Sequence, residues 1–328
     1  MAGNVWVLAE QWRGRLSEIT FEVLALGREL ASGLGVELEA VLLGHHAAEL
    51  AGQLGAADRV LAADHPSLAE PVADEYCEAL AQLIKAKQPC CVLVPASNVL
   101  LDVGALLPAR LDAPFVNWCK DVRAEDGKLR ARALLYGGKM EAICDTKGEP
   151  VILAIQPGTR PAEQGRVARS APLEEVQVTL ANAPRVRLLE YVEPEPGDVD
   201  ITQQEILVSV GRGIQTKDNI SLAEELAAAL GGAVSGSRPI IDQGWLPLSR
   251  QVGKSGASVK PKLYLALGIS GAPEHVEGMK NAALIVAVNT DPTAPIFNVA
   301  HYGVVAEIVE LVPSLTEEVA RRRGARDV

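Results

Sequence analysis

The order of apolar and amphipathic segments constrains the fold of this chain more than any other feature. Short apolar runs at residues 5–9, 36–43 and 90–95 alternate with helical patterns at residues 17–34 and 69–87. Continuous apolar runs are typical of parallel strands buried on both faces, and the helices between them supply the crossovers. The first half of the sequence therefore predicts an α/β domain built from βαβ units.

The alternation changes between residues 116 and 156. Strand-like segments follow one another there with glycine turns between them, at residues 116–123, 129–136, 140–145 and 151–156. Closely spaced strands with glycine turns are typical of hairpins, so we expect these segments to pair as consecutive antiparallel strands.

The βαβ rhythm restarts after a stretch rich in Pro, Glu and Arg at residues 157–200, in which we place the domain boundary. Four further strands and three further helices are predicted there, and the last helix follows Pro313. The strands lie at residues 206–210, 233–235, 263–268 and 284–289, and the other helices at 220–230 and 272–279. We expect two α/β domains, residues 1–195 and 196–328, each a mainly parallel sheet flanked by helices.

Composition argues against several classes of function. A formal charge of −11 repels a phosphate backbone, which disfavours nucleic acid as a partner. No apolar run approaches the ~20 residues of a membrane span, and the beginning of the chain does not resemble a signal peptide. The five cysteines form no CxxC pair, which favours free thiols in a reducing compartment such as the cytoplasm.

No motif of bond-cleaving catalysis is present, so we expect no catalytic residues. His45 and His46 follow a predicted strand, without Cys, Asp or Glu at ligand spacing, and we expect no metal site there.

Three strands of the second half end in glycine-rich or polar turns, at residues 211–213, 268–271 and 289–292. The carboxyl ends of parallel strands meet at one edge of a sheet, where ligands bind, so these turns predict a single crevice. The turn Ser270–Gly271 opens a predicted helix, and free N–H groups there suit a diphosphate. Neither a complete GxGxxG fingerprint nor a complete P-loop is present.

Charged side chains near this crevice have two interpretations. Arg212, Arg238 and Arg250 suit phosphate or a flat ring, yet solvated surface arginines are equally common. His275 could donate a hydrogen bond to a carbonyl of a bound ring, or it could be an exposed helix histidine.

Five motifs in the second half of the sequence resemble, in their order and spacing, those of a known protein family. They are VSVGRGI (208–214), GSRPIIDQGWLP (236–247), QVGKSG (251–256), LALGISGAPEHVEGMK (265–280) and VAVNTDPTAPIFNVAHYGVV (286–305). In this order they resemble the C-terminal domain of electron transfer flavoprotein α-subunits, including the FixB type. The first half is similar through VWVLAE (5–10), LYGGKMEA (135–142) and VILAIQPGT (151–159).

The resemblance implies a Rossmann-like FAD-binding C-terminal domain and an N-terminal domain, similar to nucleotide α-hydrolases, that acts as the scaffold for a partner subunit. It assigns FAD contacts to a set of residues in the second half. Diphosphate and adenosine contacts would come from Arg212, Ser237, Asn289 and Glu307, with Ile308 beside them, and helix-start contacts from Ser270, Gly271, Ala272, Pro273 and Glu274. Ring contacts would come from Arg238, Gln251, Val252, Gly253, Lys254, Ser255 and His275, with Ser255 near N5 and His275 near O2.

Cationic donors beside the ring would stabilise negative charge on it and raise its reduction potential. The sequence departs from the family at Lys254, Ser255 and His301, where glutamine, threonine and aspartate are common.

The resemblance also implies a heterodimer with a β-subunit. Such a pair would carry electrons from flavin dehydrogenases, for example an acyl-CoA dehydrogenase of fatty acid β-oxidation, to a quinone oxidoreductase or a ferredoxin-linked acceptor. An electron-bifurcating, NADH-oxidising pair with a second FAD is the alternative, and a module that binds AMP or ATP in the N-terminal domain is a third.

Overall fold

The computed structural model describes residues 3–125, 127–136, 138–180, 185–191 and 198–324. The chain forms two compact units, Met1–Tyr191 and Val192–Val328. The predicted boundary between residues 195 and 196 lies outside the described residues.

The N-terminal unit contains eleven strands and four helices in its described part. The strands are β1 (Val5–Ala9), β2 (Gln11–Trp12), β3 (Arg15–Leu16), β4 (Leu38–Gly44), β5 (Arg59–Asp64), β6 (Cys91–Pro95), β7 (Phe115–Glu125), β8 (Lys128–Leu135), β9 (Met140–Asp145), β10 (Val151–Ile155) and β11 (Leu173–Glu175). The helices are α1 (Glu18–Leu34), α2 (Ala73–Lys87), α3 (Leu101–Leu111) and α4 (Ala162–Gly165).

Nine of these strands form one sheet in the order β11-β5-β4-β1-β6-β10-β7-β8-β9. Its pairs are parallel except β7–β8 and β8–β9, which are antiparallel. The prediction that residues 151–156 continue the hairpins was wrong, because β10 lies between β6 and β7 and is parallel to both. All five residues of β10 are buried, whereas β9 is largely exposed. The continuous apolar run VILAI is the signal of such an internal strand.

The C-terminal unit contains five strands and four helices among the residues described. They are β12 (Ile206–Val210), α5 (Ile220–Leu230), β13 (Ala233–Gly236), α6 (Arg238–Asp242), β14 (Leu263–Leu267), α7 (Pro273–Met279), β15 (Ile285–Asn289), β16 (Tyr302–Val305) and α8 (Ile308–Gly324). The strands form a wholly parallel sheet in the order β13-β12-β14-β15-β16. The predicted fold class, two α/β units with mainly parallel sheets, is confirmed.

Alternate strand residues of the C-terminal unit face two separate cores. Leu207, Tyr264 and Ala287 belong to one core, and Val208, Leu265 and Val288 belong to the other. Burial on both faces is what the continuous apolar runs predict.

Two details at the end of the chain differ from the prediction. The last helix begins at Ile308, and Pro313 lies inside it at the loss of one backbone hydrogen bond. The edge strand β16 was not predicted, and all four of its residues are exposed. Among the described residues, no helix has both the length and the apolar character needed to cross a membrane.

Candidate functional site

Backbone hydrogen bonds join the loops at the carboxyl edge of the C-terminal sheet into one continuous row. The bonds run from Val252 N to Gly236 O (3.0 Å), Ser237 N to Val210 O (3.0 Å), Gly211 N to Leu267 O (2.8 Å), Gly268 N to Val288 O (2.9 Å) and Ala306 N to Asn289 O (3.3 Å). The predicted turns therefore lie side by side at one edge of the sheet, together with the loop that contains Gln251.

Glycines allow two of these turns to touch backbone to backbone. A Cβ on Gly211 would lie 2.4 Å from Gly268 O, and one on Gly213 would lie 2.6 Å from Gly268 Cα. Gly268 itself has a φ of +65°. Any side chain at these three positions would push the turns apart, so the glycines fix the shape of the edge.

Gly271 holds the next turn in place. Its φ is +87°, and an added Cβ would lie 2.2 Å from Ile296 N. The same Ile296 N–H donates to Ser270 O at 3.0 Å. The turn before α7 is thus fixed against the segment that follows β15.

The loop at residues 251–256 packs on α7. Lys254 N donates to Glu274 O at 2.7 Å, and a Cβ on Gly278 would lie 2.5 Å from Gly253 N. Within the loop, Gln251 Nε2 donates to Ser255 Oγ at 2.9 Å. Of the residues predicted to line a ring, Gln251, Val252 and Gly253 are buried, whereas Lys254 and Ser255 are exposed.

His275 is buried in the core, and so it is not the exposed helix histidine of the alternative interpretation. Its Nε2 lies 2.8 Å from Tyr264 Oη. Its Nδ1 is buried and has no hydrogen bond of ordinary geometry to any described residue. Burial lowers the pKa of His275 to about 4, and the Val252 backbone opposes this weakly. The imidazole is therefore neutral at neutral pH.

A buried polar cluster surrounds the Tyr264 hydroxyl, which sequence reasoning missed. Burial raises the pKa of Tyr264, and the neighbouring hydroxyls of Ser209 and Ser235 oppose the rise. Neither serine Oγ has a hydrogen bond of ordinary geometry within the described part of the chain. Tyr264 lies within the apolar run of β14, so the sequence pattern indicates a core residue and not a member of a polar cluster.

Exposed charges lie along the row of loops. Arg212, Lys254, Glu274 and Glu307 are exposed, and Glu307 accepts from Gln215 Nε2 at 3.2 Å. Arg238 is also exposed and lies 3.4 Å from Asp242, a weak surface pair that leaves its guanidinium accessible.

Arg250 has a structural role. Its Nε lies 2.5 Å from Asp198 Oδ1, and its Nη1 donates to Val234 O at 2.8 Å. The guanidinium is half-buried, so the phosphate contact considered for Arg250 from sequence is not supported.

The remaining predicted residues belong to the same row. Asn289 Nδ2 donates to Ile269 O at 3.0 Å and so joins β15 to the Gly268 turn. Ser237 is buried, while Ser270, Ala272 and Pro273 are exposed. Ile308 is buried and packs under Gly268, where an added Cβ would lie 2.8 Å from Ile308 Cδ1.

The N-terminal unit has a cavity of about 690 Å³ among its described residues. Apolar side chains and Trp12 line it, with Glu70, Asp74, Asp102 and Arg187 as its charged groups. This excess of carboxylates disfavours the binding of a nucleotide phosphate in this cavity.

Comparison with known proteins identifies the family. The electron transfer flavoprotein domain matches residues 5–181, and the electron transfer flavoprotein FAD-binding domain matches residues 200–280. The chain is 38% identical to Protein FixB of Clostridium saccharobutylicum over 95% of both chains. It is 36% identical to electron transfer flavoprotein subunit alpha of Clostridium acetobutylicum over 96% of both.

Another relative is the acryloyl-CoA reductase electron transfer subunit beta of Anaerotignum propionicum, at 35% identity over 98% of this chain and 97% of that one. On these grounds the chain belongs to the electron transfer flavoprotein α-subunit family, which includes the FixB proteins, and its second unit carries the FAD-binding domain of that family.

Proposed function

We propose that this chain binds FAD along the carboxyl edge of the C-terminal sheet and transfers electrons between redox enzymes as one half of a heterodimer. The observation that carries the proposal is the row of backbone hydrogen bonds from Val252 to Ala306. It brings together, on one rigid edge, loops that are far apart in sequence. A dinucleotide is long enough to need several such loops at once.

The residues present fit a diphosphate. Arg212 is an exposed cation on a loop of this edge, and guanidinium groups bind phosphate oxygens through two hydrogen bonds. We assign Arg212, Ser237, Asn289 and Glu307 to the diphosphate and adenosine end, above Ile308. The turn from Ser270 to Glu274, held by Gly271, adds backbone donors.

The loop at residues 251–255 suits the flat ring. Its backbone is fixed on α7 through Gly253 and Lys254. We assign Gln251, Val252 and Gly253 to the ring face, Ser255 to the N5 side and Arg238 to the ring edge. The bond from Gln251 to Ser255 holds the serine hydroxyl in place.

The family resemblance assigns His275 a contact with a carbonyl of the flavin ring. To make that contact, the imidazole has to give up its present hydrogen-bond partner, Tyr264. Its Nε2 faces Tyr264, and its Nδ1 is buried beside the Val252 backbone. We propose that the imidazole turns from Tyr264 towards the ring carbonyl when FAD is present. A hydrogen bond to that carbonyl would replace the contact with Tyr264, so the exchange would leave the imidazole with a partner.

FAD, when bound, supplies the one- and two-electron chemistry, and the chain supplies binding and charge. Arg238 and Lys254 place positive charge at the ring, which favours electron uptake. We propose no catalytic residue in this chain, so the protein is a carrier and not an enzyme.

We propose a β-subunit as the stable partner, with flavin dehydrogenases as donors and a quinone oxidoreductase or a ferredoxin-linked protein as acceptor, in the cytoplasm. The name of the Anaerotignum relative connects that protein to a reductase of an acyl-CoA. This supports an enzyme that acts on acyl-CoA thioesters as one redox partner.

The test is to purify the chain with its β-subunit and to count the nucleotides released on denaturation. We expect a yellow complex with one FAD for each heterodimer. A colourless complex that takes up no FAD would refute the proposal. Two FAD in each heterodimer, with oxidation of NADH, would instead establish the bifurcating alternative.

A further inference from the structure

Three metal-binding side chains meet at the carboxyl ends of two neighbouring strands in the N-terminal unit. His45 and His46 directly follow β4, and Asp64 is the last residue of β5. The parallel register pairs Gly44 with Asp64, so the sheet brings the carboxylate beside the histidines. The sequence could not show this proximity, because the three residues are adjacent only through strand pairing.

The geometry of this cluster is close to that of a coordination site. His45 Nδ1 lies 3.1 Å from Asp64 Oδ1, and one ligand atom from each of the three residues lies within 4.8 Å of the others. Ligand atoms about 2.0–2.1 Å from a tetrahedral ion lie roughly 3.4 Å apart. Small side-chain rotations bring the three atoms to this spacing.

The backbone holds the carboxylate in position. His46 N lies 3.1 Å from both oxygens of Asp64 and donates to them. Each carboxylate oxygen has two lone pairs, so Asp64 keeps lone pairs for an ion after it accepts these bonds.

The donor set selects the class of ion. Ca²⁺ and Mg²⁺ prefer oxygen ligands, whereas two imidazoles and a carboxylate suit borderline ions of the first transition row. We propose that His45, His46 and Asp64 bind a divalent transition-metal ion of the Zn²⁺ and Co²⁺ class. All three residues are exposed, so water completes the coordination. This proposal departs from the sequence-based expectation of no metal site at these histidines.

The experiment titrates the EDTA-treated, full-length chain with Co²⁺ and with Zn²⁺, by visible absorption and by calorimetry. We expect saturable binding of one ion for each chain. His45→Gln and His46→Gln should each weaken binding at least tenfold. Asp64→Asn should also weaken it, although its amide oxygen can still accept from the His46 N–H.

His301→Gln is the matched control, because it removes an exposed histidine of the C-terminal unit and should leave binding unchanged. Absence of saturable binding by either ion would overturn the proposal. Equal affinity in the wild type and in the His45 and His46 variants would do the same, since the ion would then lie elsewhere.

Discussion

Replacement of Tyr264 by phenylalanine tests the buried polar cluster of the C-terminal unit. Tyr264 is fully buried, and its hydroxyl is the only partner of His275 Nε2 that the described residues provide, at 2.8 Å. The variant therefore leaves Nε2 of a buried imidazole without its partner, while Nδ1 has no bond of ordinary geometry among the described residues and only the Val252 backbone beside it. An unsatisfied buried group costs about 1–3 kcal/mol.

The loss of stability should be visible as a lower melting temperature of the C-terminal unit. At about 4 °C for each kcal/mol, Tyr264→Phe should lower it by about 4–12 °C in calorimetry of the full-length chain. Tyr302→Phe is the control, because Tyr302 is 67% exposed and its loss should change stability by no more than about 0.5 kcal/mol. Equal melting temperatures for the two variants would refute the hydrogen bond as a stabilising contact.

Three other predictions concern the same unit. His275 has a pKa of about 4 in the folded chain and about 6.5 unfolded, so the unfolded state gains the proton first and stability falls as pH drops. The free energy of unfolding should fall by about 2 kcal/mol between pH 7 and pH 5, and urea unfolding at the two pH values measures this. An equal dependence of stability on pH in the His275→Gln variant would contradict the prediction. Gly271→Ala should destabilise the unit and weaken FAD binding more than the control Gly244→Ala does. Both glycines have a positive φ, but only at position 271 would the added Cβ clash with a neighbour, Ile296. Equal midpoints of urea unfolding for the two variants would refute this. Arg238→Ala should lower the potential of bound FAD in a potentiometric titration while the free energy of unfolding changes by no more than about 0.5 kcal/mol, and an unchanged potential would remove Arg238 from the ring edge.

Much of the fold could be predicted from the sequence because both units depend on continuous apolar runs. β12 and α5 have the predicted bounds, since an apolar run followed by a helical pattern permits few other arrangements. β10 was assigned to the wrong pairing because strand order is a long-range property that local turns do not encode. The last helix was predicted to begin after Pro313, but α8 includes this proline, because tertiary packing outweighs the loss of one hydrogen bond.

The candidate site was predictable to the level of its loops. Glycine and polar residues after parallel strands indicated the edge, and the structure brings those turns together. Side-chain partners were not predictable in the same way. The ion pair of Arg250 with Asp198 and the contact of His275 with Tyr264 each join residues whose proximity only the folded unit creates.

A crystal structure of the FAD-loaded heterodimer would show directly whether FAD lies along the carboxyl edge of the C-terminal sheet. We expect density for the diphosphate beside Arg212 and the Ser270 turn, and density for the ring beside Arg238 and residues 251–255. FAD bound anywhere other than the carboxyl edge of the C-terminal sheet would contradict this expectation.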